Sequence, residues 1–524
     1  MNETTNYLFI LVDQARADFL GCYGNDAIKT PNIDALAKRG SLFERLYVAN
    51  PFCMPARSAI MTGRMPSVNG ARTNGVPLNA HSRTFVEQLR TNGYDTALIG
   101  KCHLQNMTGW QRAYTPLTAE NCAMDENGYP EQPTRAPITG DDYENENSIL
   151  WKDDPTHDIK TPYYGFSHVD LCTLHGDNVG ANYLRSNKKV TDIKGEDNAL
   201  DKGDVTTPQA WRTAVPEDIY PTAYIGKKAV SWLENYDTSK PFFLQCSFPD
   251  PHHPFTPPGK YWDMYDPDDI ELPKSYMLGR SPILDHMRSE YEKGIANRKT
   301  TLPYVVSEKE AREAIALTYG MLTMIDDWIG EIVQALREQG LFENTIIIFA
   351  SDHGDYMADH GIMLKGPIHT QGLIRTPFIW ADPKAVRRSQ IDHLCSAIDI
   401  GPTILEHSGT KPYYGIQGRS LLEVMADPNA SHRNAVLIED DREVIYLGFE
   451  EPQRVRTMVT EKYRISMTIP ADNFELYDLE NDPDEIVNLW EASDFSPIKA
   501  ELTERMLKLV CEMQDWAPLP TGRA

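Results

Sequence analysis

Cysteine is scarce in this chain of 524 residues: eight, at 22, 53, 102, 122, 172, 246, 395 and 511, irregularly spaced and with no C-x-x-C pair. That usage excludes a disulfide framework and a zinc ribbon as the organising device. No stretch approaches the roughly 20 continuous apolar residues of a membrane-spanning helix. Basic residues are the minority charge, 51 Lys and Arg against 76 Asp and Glu for a formal net charge of −25. The balance disfavours non-specific attraction to nucleic acid or to an anionic membrane surface, so an anionic substrate must be held by a local cationic pocket. The opening segment MNETTNYLFILVD lacks a basic n-region and its short apolar run ends in a carboxylate, as in a core strand rather than a signal peptide. A cytoplasmic location is expected on that ground, or a periplasmic or secreted one if a leader precedes this sequence. Internal repeats and low-complexity tails are also missing.

The composition that remains, 41% hydrophobic and 24% charged, is that of an ordinary globular protein. The length calls for one large domain and a smaller one. Apolar, β-rich runs recur at residues 7–13, 94–100, 241–248, 344–352 and 376–382. Runs of this kind, buried on both faces and separated by amphipathic stretches, predict a parallel sheet. Helices fit between them at 32–39, 84–92, 222–235 and 307–339, the last with Ile315, Leu322, Ile325, Ile329 and Ile332 at helical spacing. The expected fold class is α/β, a large mostly parallel sheet flanked by helices. After residue 425 the pattern changes to short alternating strands at 434–439, 454–460, 462–467 and 475–477, then a helix at 497–514. The expected division is therefore a large α/β domain over 1–425 and a smaller antiparallel sheet with a helix over 426–524. Residues 104–215 are polar and aperiodic, and a long irregular insertion is commonly a lid or binding loop. It is expected to wall the substrate pocket, with Trp110, Trp151, Tyr163 and Tyr164 available to stack on a ring.

Three sets of residues carry chemistry. In NPFCMPARSAIMTGR, residues 50–64, Cys53, Pro55 and Arg57 form C-x-P-x-R. Proline suits the first turn of a helix, which places Cys53 at a helix N-terminus, where backbone N–H groups favour an anion. A cysteine without such a motif is ordinarily a buried apolar residue. The second set lies at strand ends: Asp13 and Gln14 close one apolar run, Asp352 and His353 another. Such donors converge at carboxyl edges, where α/β folds place their sites, although either pair alone reads equally well as a cap or a turn. Oxygen-rich ligation suits Ca²⁺ or Mg²⁺, whereas a neutral imidazole also suits Mn²⁺ or Zn²⁺. The third set is Lys101 and His103 after the 94–100 run, His252 after the 241–248 run, and Lys365 in MLKGPIHTQGLIRTPF. Singly, each has an ordinary explanation, since a lysine is usually solvated and a histidine often satisfies a loop carbonyl. Asn74, in RTNGVPL, reads either as a turn residue or as a substrate contact.

The C-x-P-x-R element continues through Ser58, Thr62, Gly63 and Arg64. Taken with TPNIDALAKRG (30–40), the G-K-x-H of 100–103, the P-H-x-P-F of 251–255 and ELYDLENDPDEIVNL (475–489), it resembles the sulfatase family. This is the type I, formylglycine-dependent family of the alkaline phosphatase-like superfamily, which also holds phosphonate monoester hydrolases. The resemblance covers most of the chain and is weakest over 104–215. It implies that a maturation enzyme oxidises Cys53 to formylglycine. It also implies one divalent metal ion, usually Ca²⁺, held by Asp13, Gln14, Asp352, His353 and residue 53. The commonest family pattern is Asp-Asp and Asp-Asn, so Gln14 and His353 leave Mn²⁺, Mg²⁺ and Zn²⁺ as further choices. By the same resemblance Cys53, Arg57, Lys101, His103, His252 and Lys365 are catalytic, Asn74, Lys101, His252 and Lys365 contact substrate, and Arg375 is structural.

The implied reaction is hydrolysis of an aryl or carbohydrate sulfate monoester. Arg57 and the metal orient the nucleophile, Asp352 takes its proton, Lys101 and Lys365 offset sulfate charge, His252 protonates the leaving alcohol, and His103 assists sulfate release. The nearest alternative is a phosphonate monoester or phosphodiester hydrolase with the same apparatus, because Gln14 and His353 also occur in those relatives. The Lys101 and His103 pair looks more like that of true sulfatases. A non-catalytic anion-binding protein with an unmodified Cys53 is the alternative of another class, and simple binding does not require nucleophile, metal ligands and acid together.

Overall fold

The computed structural model describes residues 5–109, 123–124, 140–237, 239–384, 389–442, 445 and 447–522; Trp110 lies outside them. Its strands, in chain order, are β1 (Asn6–Val12), β2 (Ser41–Tyr47), β3 (Asp95–Gly100), β4 (His168–Leu171), β5 (Phe242–Phe248), β6 (Tyr304–Val305), β7 (Thr345–Ser351) and β8 (Ile362–Met363). They continue with β9 (Arg375–Ala381), β10 (Ser389–Ile391), β11 (Cys395–Ser396), β12 (Ala435–Asp441), β13 (Arg454–Thr460), β14 (Tyr463–Ile469) and β15 (Asn473–Asp478). A nine-stranded sheet runs β10-β2-β9-β7-β1-β5-β3-β4, with β11 also paired to β2. Its centre is parallel: Leu11 of β1 faces Ser247 of β5 on one side and Ala350 of β7 on the other. The 376–382 run proves to be the reversed strand, since β9 is antiparallel to both β7 and β2.

Period-two alternation in β1 sorts its side chains between two cores, as a sheet covered on both faces requires. Leu8, Ile10 and Val12 pack with Ile225 and Leu233 of the helix Pro221–Glu234 and with Ile315, Leu322, Ile325, Ile329 and Ile332 of the helix Glu308–Glu338. Tyr7, Phe9 and Leu11 pack with Ile60 and Met61 of the helix Cys53–Thr62, Phe85 and Leu89 of the helix Phe85–Thr91, and Ile404 of the helix Ile400–His407. The long helix starts where its capping box places it: the Ser307 side chain takes the Glu310 N–H, and the Glu310 carboxylate takes the Ser307 N–H. No helix among the described residues is long and apolar enough to cross a membrane.

Strands β12 to β15 form the small antiparallel sheet. Leu502 and Met506 of the helix Ser496–Glu512 cover it by packing on Met458, Ile465 and Leu476. Its other face, through Val436, Ile438 and Val459, packs on Tyr47, Val48 and Tyr356 of the larger unit. The described part of the 104–215 stretch is more ordered than its composition suggests. Strand β4 extends the large sheet beside β3, and the buried Glu313 of the long helix accepts the N–H groups of Thr206 and Thr207 at 2.8 Å each. Trp151, Tyr163 and Tyr164 are buried, so they serve as core residues and present no ring-stacking surface.

Candidate active site

Four neighbouring parallel strands, β3, β5, β1 and β7, end along one edge. Adjacent strands stand about 4.8 Å apart, so residues just past their ends meet although the chain separates them widely. Lys101 follows β3, His252 follows β5, Asp13 follows β1, and Asp352 and His353 follow β7. Gln14 and His103 leave their strands with left-handed backbones, φ 64° and 59°, which turns the chain sharply at the edge. The helix Cys53–Thr62 opens over the same edge with Cys53 in its first turn and Pro55 in the next positions.

Ligand atoms of Asp13, Cys53, Asp352 and His353 all lie within 4.8 Å of one another, and all four side chains are buried. Cys53 Sγ is 3.0 Å from His353 Nε2 and 3.6 Å from Asp13 Oδ1. His353 Nδ1 donates to the Gly354 carbonyl at 2.8 Å, which leaves the Nε2 lone pair facing the other donors, as in a ligating histidine. The Gln14 amide is oriented by its donation from Nε2 to Asp355, so that Oε1 faces Lys365 at 2.8 Å. Two carboxylates, an amide oxygen and an imidazole nitrogen form a donor set that fits a divalent cation. A cation in fact stands among them: Lys365 Nζ lies 3.1 Å from both Cys53 Sγ and His353 Nε2 and 3.0 Å from His252 Nε2.

Arg57 fastens these parts together. Its Nε donates to Asp352 Oδ2 at 2.7 Å, its NH1 to Ser247 Oγ at 2.9 Å and to the Lys101 carbonyl at 3.0 Å, and its NH2 to Asp13 Oδ2 at 3.4 Å. Burial alone raises the Asp13 carboxyl, but the charges of Lys101 and Arg57 hold it well below the usual carboxylate range. Burial and Asp13 likewise raise the Cys53 thiol, and chiefly the charges of Lys101 and Lys365 reverse the sign and leave it below its ordinary value. The site is thus a buried enclosure in which anions are stabilised by three fixed cations, Arg57, Lys101 and Lys365.

The histidines differ in their anchoring. His252 Nδ1 donates to the His253 carbonyl at 2.5 Å, aiming Nε2 at Lys365. Burial, with His175 and Lys365 beside it, holds His252 neutral well below the ordinary imidazole range. His103 is buried with Nδ1 unpartnered by hydrogen bonds, and its main-chain N–H donates to Glu146 Oε2 at 2.6 Å. Asn74 is exposed; its Oδ1 accepts the Met54 N–H at 3.1 Å, beside Cys53 at the start of the helix. Arg375 stands apart and donates to the Glu44 carbonyl at 3.4 Å.

Further buried or half-buried groups enter this assembly beyond the residues that the motifs named. Asp355 takes the Gln14 amide together with the N–H groups of Met357 and Leu364, and burial pushes it up to about 6; its place three residues after Asp352 was a usable signal. Glu146 and His175 come from the aperiodic 104–215 stretch, where periodicity offers no signal. His253 stacks on His252 with ring centroids 4.1 Å apart, and burial and Lys365 push it down to about 3.

Residues 5–410 match the family described as Sulfatase, and residues 358–512 match the family described as N-sulphoglucosamine sulphohydrolase, C-terminal. An arylsulfatase of Clostridium perfringens is 29% identical over 503 residues, covering 94% of this chain and 91% of that one. The multifunctional alkaline phosphatase superfamily protein PehA of Trinickia caryophylli is 28% identical over 515 residues, covering 92% and 91%. Among solved structures, the phosphonate monoester hydrolase of Agrobacterium radiobacter shares the fold at a TM-score of 0.75 and 24% identity, covering 98% of this chain and 96% of that one.

Proposed function

The chain belongs to the sulfatase family, and from that premise we propose that it hydrolyses aryl or carbohydrate sulfate monoesters with residue 53 as the nucleophile. The observation that carries the reading is the meeting of Cys53 with Asp13, Asp352, His353, Lys101, Lys365 and Arg57 in one buried enclosure. Formylglycine, made from Cys53 by a maturation enzyme, supplies two hydroxyls on one carbon when hydrated, one to attack sulfur and one to expel sulfate. Asp13, Gln14, Asp352 and His353, with residue 53, would hold one divalent ion supplying Lewis-acid charge; Ca²⁺ suits the oxygens, and Mn²⁺, Mg²⁺ or Zn²⁺ suit a set that includes an imidazole.

The remaining work falls to this chain's side chains. Arg57 keeps the two carboxylates apart and aimed, and Asp352 receives the proton of the attacking hydroxyl. Lys101 and Lys365 bind the sulfate oxygens, where preorganised charge in a dry site counts most. His252 serves the leaving oxygen from the face where Nε2 meets Lys365; an anionic ester entering beside it reverses the local field that keeps the free imidazole neutral. His103 completes the cycle at residue 53, Asn74 contacts the ester, and the described part of the 104–215 stretch walls the pocket. The division into 1–425 and 426–524 belongs to the same reading.

The test is Cys53→Ser, whose single hydroxyl attacks sulfate but has no second hydroxyl to release it. A covalently sulfated form of this variant is expected to accumulate in the intact mass with turnover blocked; normal turnover by the variant sinks the mechanism. One further reading is favoured by Gln14 and His353, the residues that depart from the commonest sulfatase pattern: cleavage of phosphonate monoesters or phosphodiesters by the same apparatus. Equal concentrations of an aryl sulfate and an aryl phosphonate decide between them, the higher kcat/KM naming the class.

A further inference from the structure

The described part of the 104–215 stretch delivers a histidine to the reacting end of this site. His175 lies just past β4, the edge strand, in line with the other strand-end residues. Its Nε2 is 2.6 Å from Lys101 Nζ and 3.8 Å from Asp13 Oδ2. Its ring lies flat on that of His252, with centroids 3.6 Å apart and planes 8° from parallel. The His175 side chain is 18% exposed, whereas those of Lys101 and Asp13 are 0% exposed, so it stands between solvent and the interior of the site.

Both contacts constrain a group that needs constraint. An ammonium only donates, so His175 Nε2 accepts from Lys101, whose charge is thereby held between an imidazole and the Asp13 carboxylate. A lysine on its flexible four-carbon stem otherwise has three rotatable donors and no fixed direction. The His252 ring is tied by Nδ1 to the His253 carbonyl, which fixes one atom but leaves the ring plane free to swing about that bond. His175 on one face and His253 on the other close that freedom and keep Nε2 pointed toward Lys365. The atoms of Asp13, His175 and His252 also lie close enough to hold a cation, but the Lys101 ammonium already supplies positive charge there.

We propose that His175 is a positioning residue for leaving-group expulsion, setting the plane of His252 by stacking and the direction of Lys101 by hydrogen bonding. This rests on the hydrolase reading above. Proton delivery matters most for poor leaving groups, so the readout is kcat/KM across aryl sulfates from 4-nitrophenyl to phenyl, with formylglycine content verified by mass. His175→Ala is expected to lose roughly tenfold or more on the phenyl ester and only a few-fold on the 4-nitrophenyl ester. His175→Phe, which keeps a flat ring, restores most of the leaving-group-dependent part. His175→Gln, which keeps an acceptor for Lys101, restores the uniform part. Metal content by elemental analysis is unchanged in all three. Equal losses across the series with Phe no better than Ala, or one equivalent of metal lost with His175, overturn the proposal. If the wild type cleaves aryl phosphonates and not sulfates, the sulfate reading falls while the same comparison, run on the phosphonates, still decides on His175.

Discussion

Arg57 Nε donates to Asp352 Oδ2 at 2.7 Å with both side chains buried, and through this contact the helix carrying Cys53 is locked to the end of β7. The other guanidinium nitrogens reach Ser247, the Lys101 carbonyl and Asp13, so that one side chain spans the ends of four strands. Only a planar fork of five donors can do this.

Arg57→Lys retains the charge but not the fork. It is expected to weaken divalent-metal affinity by about 10- to 100-fold, the usual cost of losing a group that orients a ligand, and to lower the melting temperature because a buried carboxylate is left under-partnered. Metal titration and thermal melts check both; unchanged metal affinity would refute the role assigned to Arg57.

Removing the divalent ion with a chelator is expected to abolish turnover while leaving the chain folded. Three cations, Arg57, Lys101 and Lys365, already offset the buried anions, so the fold does not depend on metal charge. Circular dichroism should be nearly unchanged, with a melting temperature lowered by the binding free energy alone. Restoring activity with Ca²⁺, Mn²⁺, Mg²⁺ and Zn²⁺ in turn ranks the ions. Global unfolding on chelation would contradict this account.

Glu146 spends its carboxylate on the loop that carries His103. It accepts from the main-chain N–H groups of His103, Leu104 and Gln105 at 2.6, 2.9 and 3.1 Å and from the Tyr163 hydroxyl at 2.8 Å. In Glu146→Gln an NH₂ group faces N–H donors in a buried place, costing about 1–3 kcal/mol. Because the strained loop at His103 loses its anchor, kcat is expected to fall by about tenfold with KM little changed. Steady-state kinetics separates the two, and an effect on KM alone would show that the loop does not serve catalysis.

Asp250 is buried beside Thr222, and burial pushes its carboxyl up to about 7. A folded-state value above the unfolded one means the native state binds the extra proton between them. Its contribution to stability is therefore full below about pH 4 and is lost as pH rises through about 7, at about 1.4 kcal/mol per pH unit. Asp250→Asn stays neutral, so its melting temperature relative to wild type should be higher at pH 8 than at pH 5. A difference independent of pH would refute the assignment, and packing costs cancel in that comparison.

The strands that bear the site were legible because both their faces are buried: β1, β3, β5 and β7 read as largely apolar runs. Strand β2 was hidden by Glu44 and Arg45, which fall where its register shifts between Phe43 and Leu46. Strand β4, with His168 exposed at its start on the sheet's edge, has too short an apolar pattern to register. The reversed direction of β9 left no trace, since apolar periodicity is the same read either way.

By itself the sequence marked the central strands and the candidate residues around them: the C-x-P-x-R turn at Cys53, the acidic strand ends at Asp13 and Asp352, the lysines and histidines after apolar runs. Only the tertiary structure decided which of these touch. That Lys365 stands among Gln14, Cys53, His252 and His353, and that His175 lies flat on His252, depends on the order β4-β3-β5-β1-β7 across the sheet. Local patterns arise from each segment's own backbone and burial, whereas strand order is settled by packing between segments far apart in the chain.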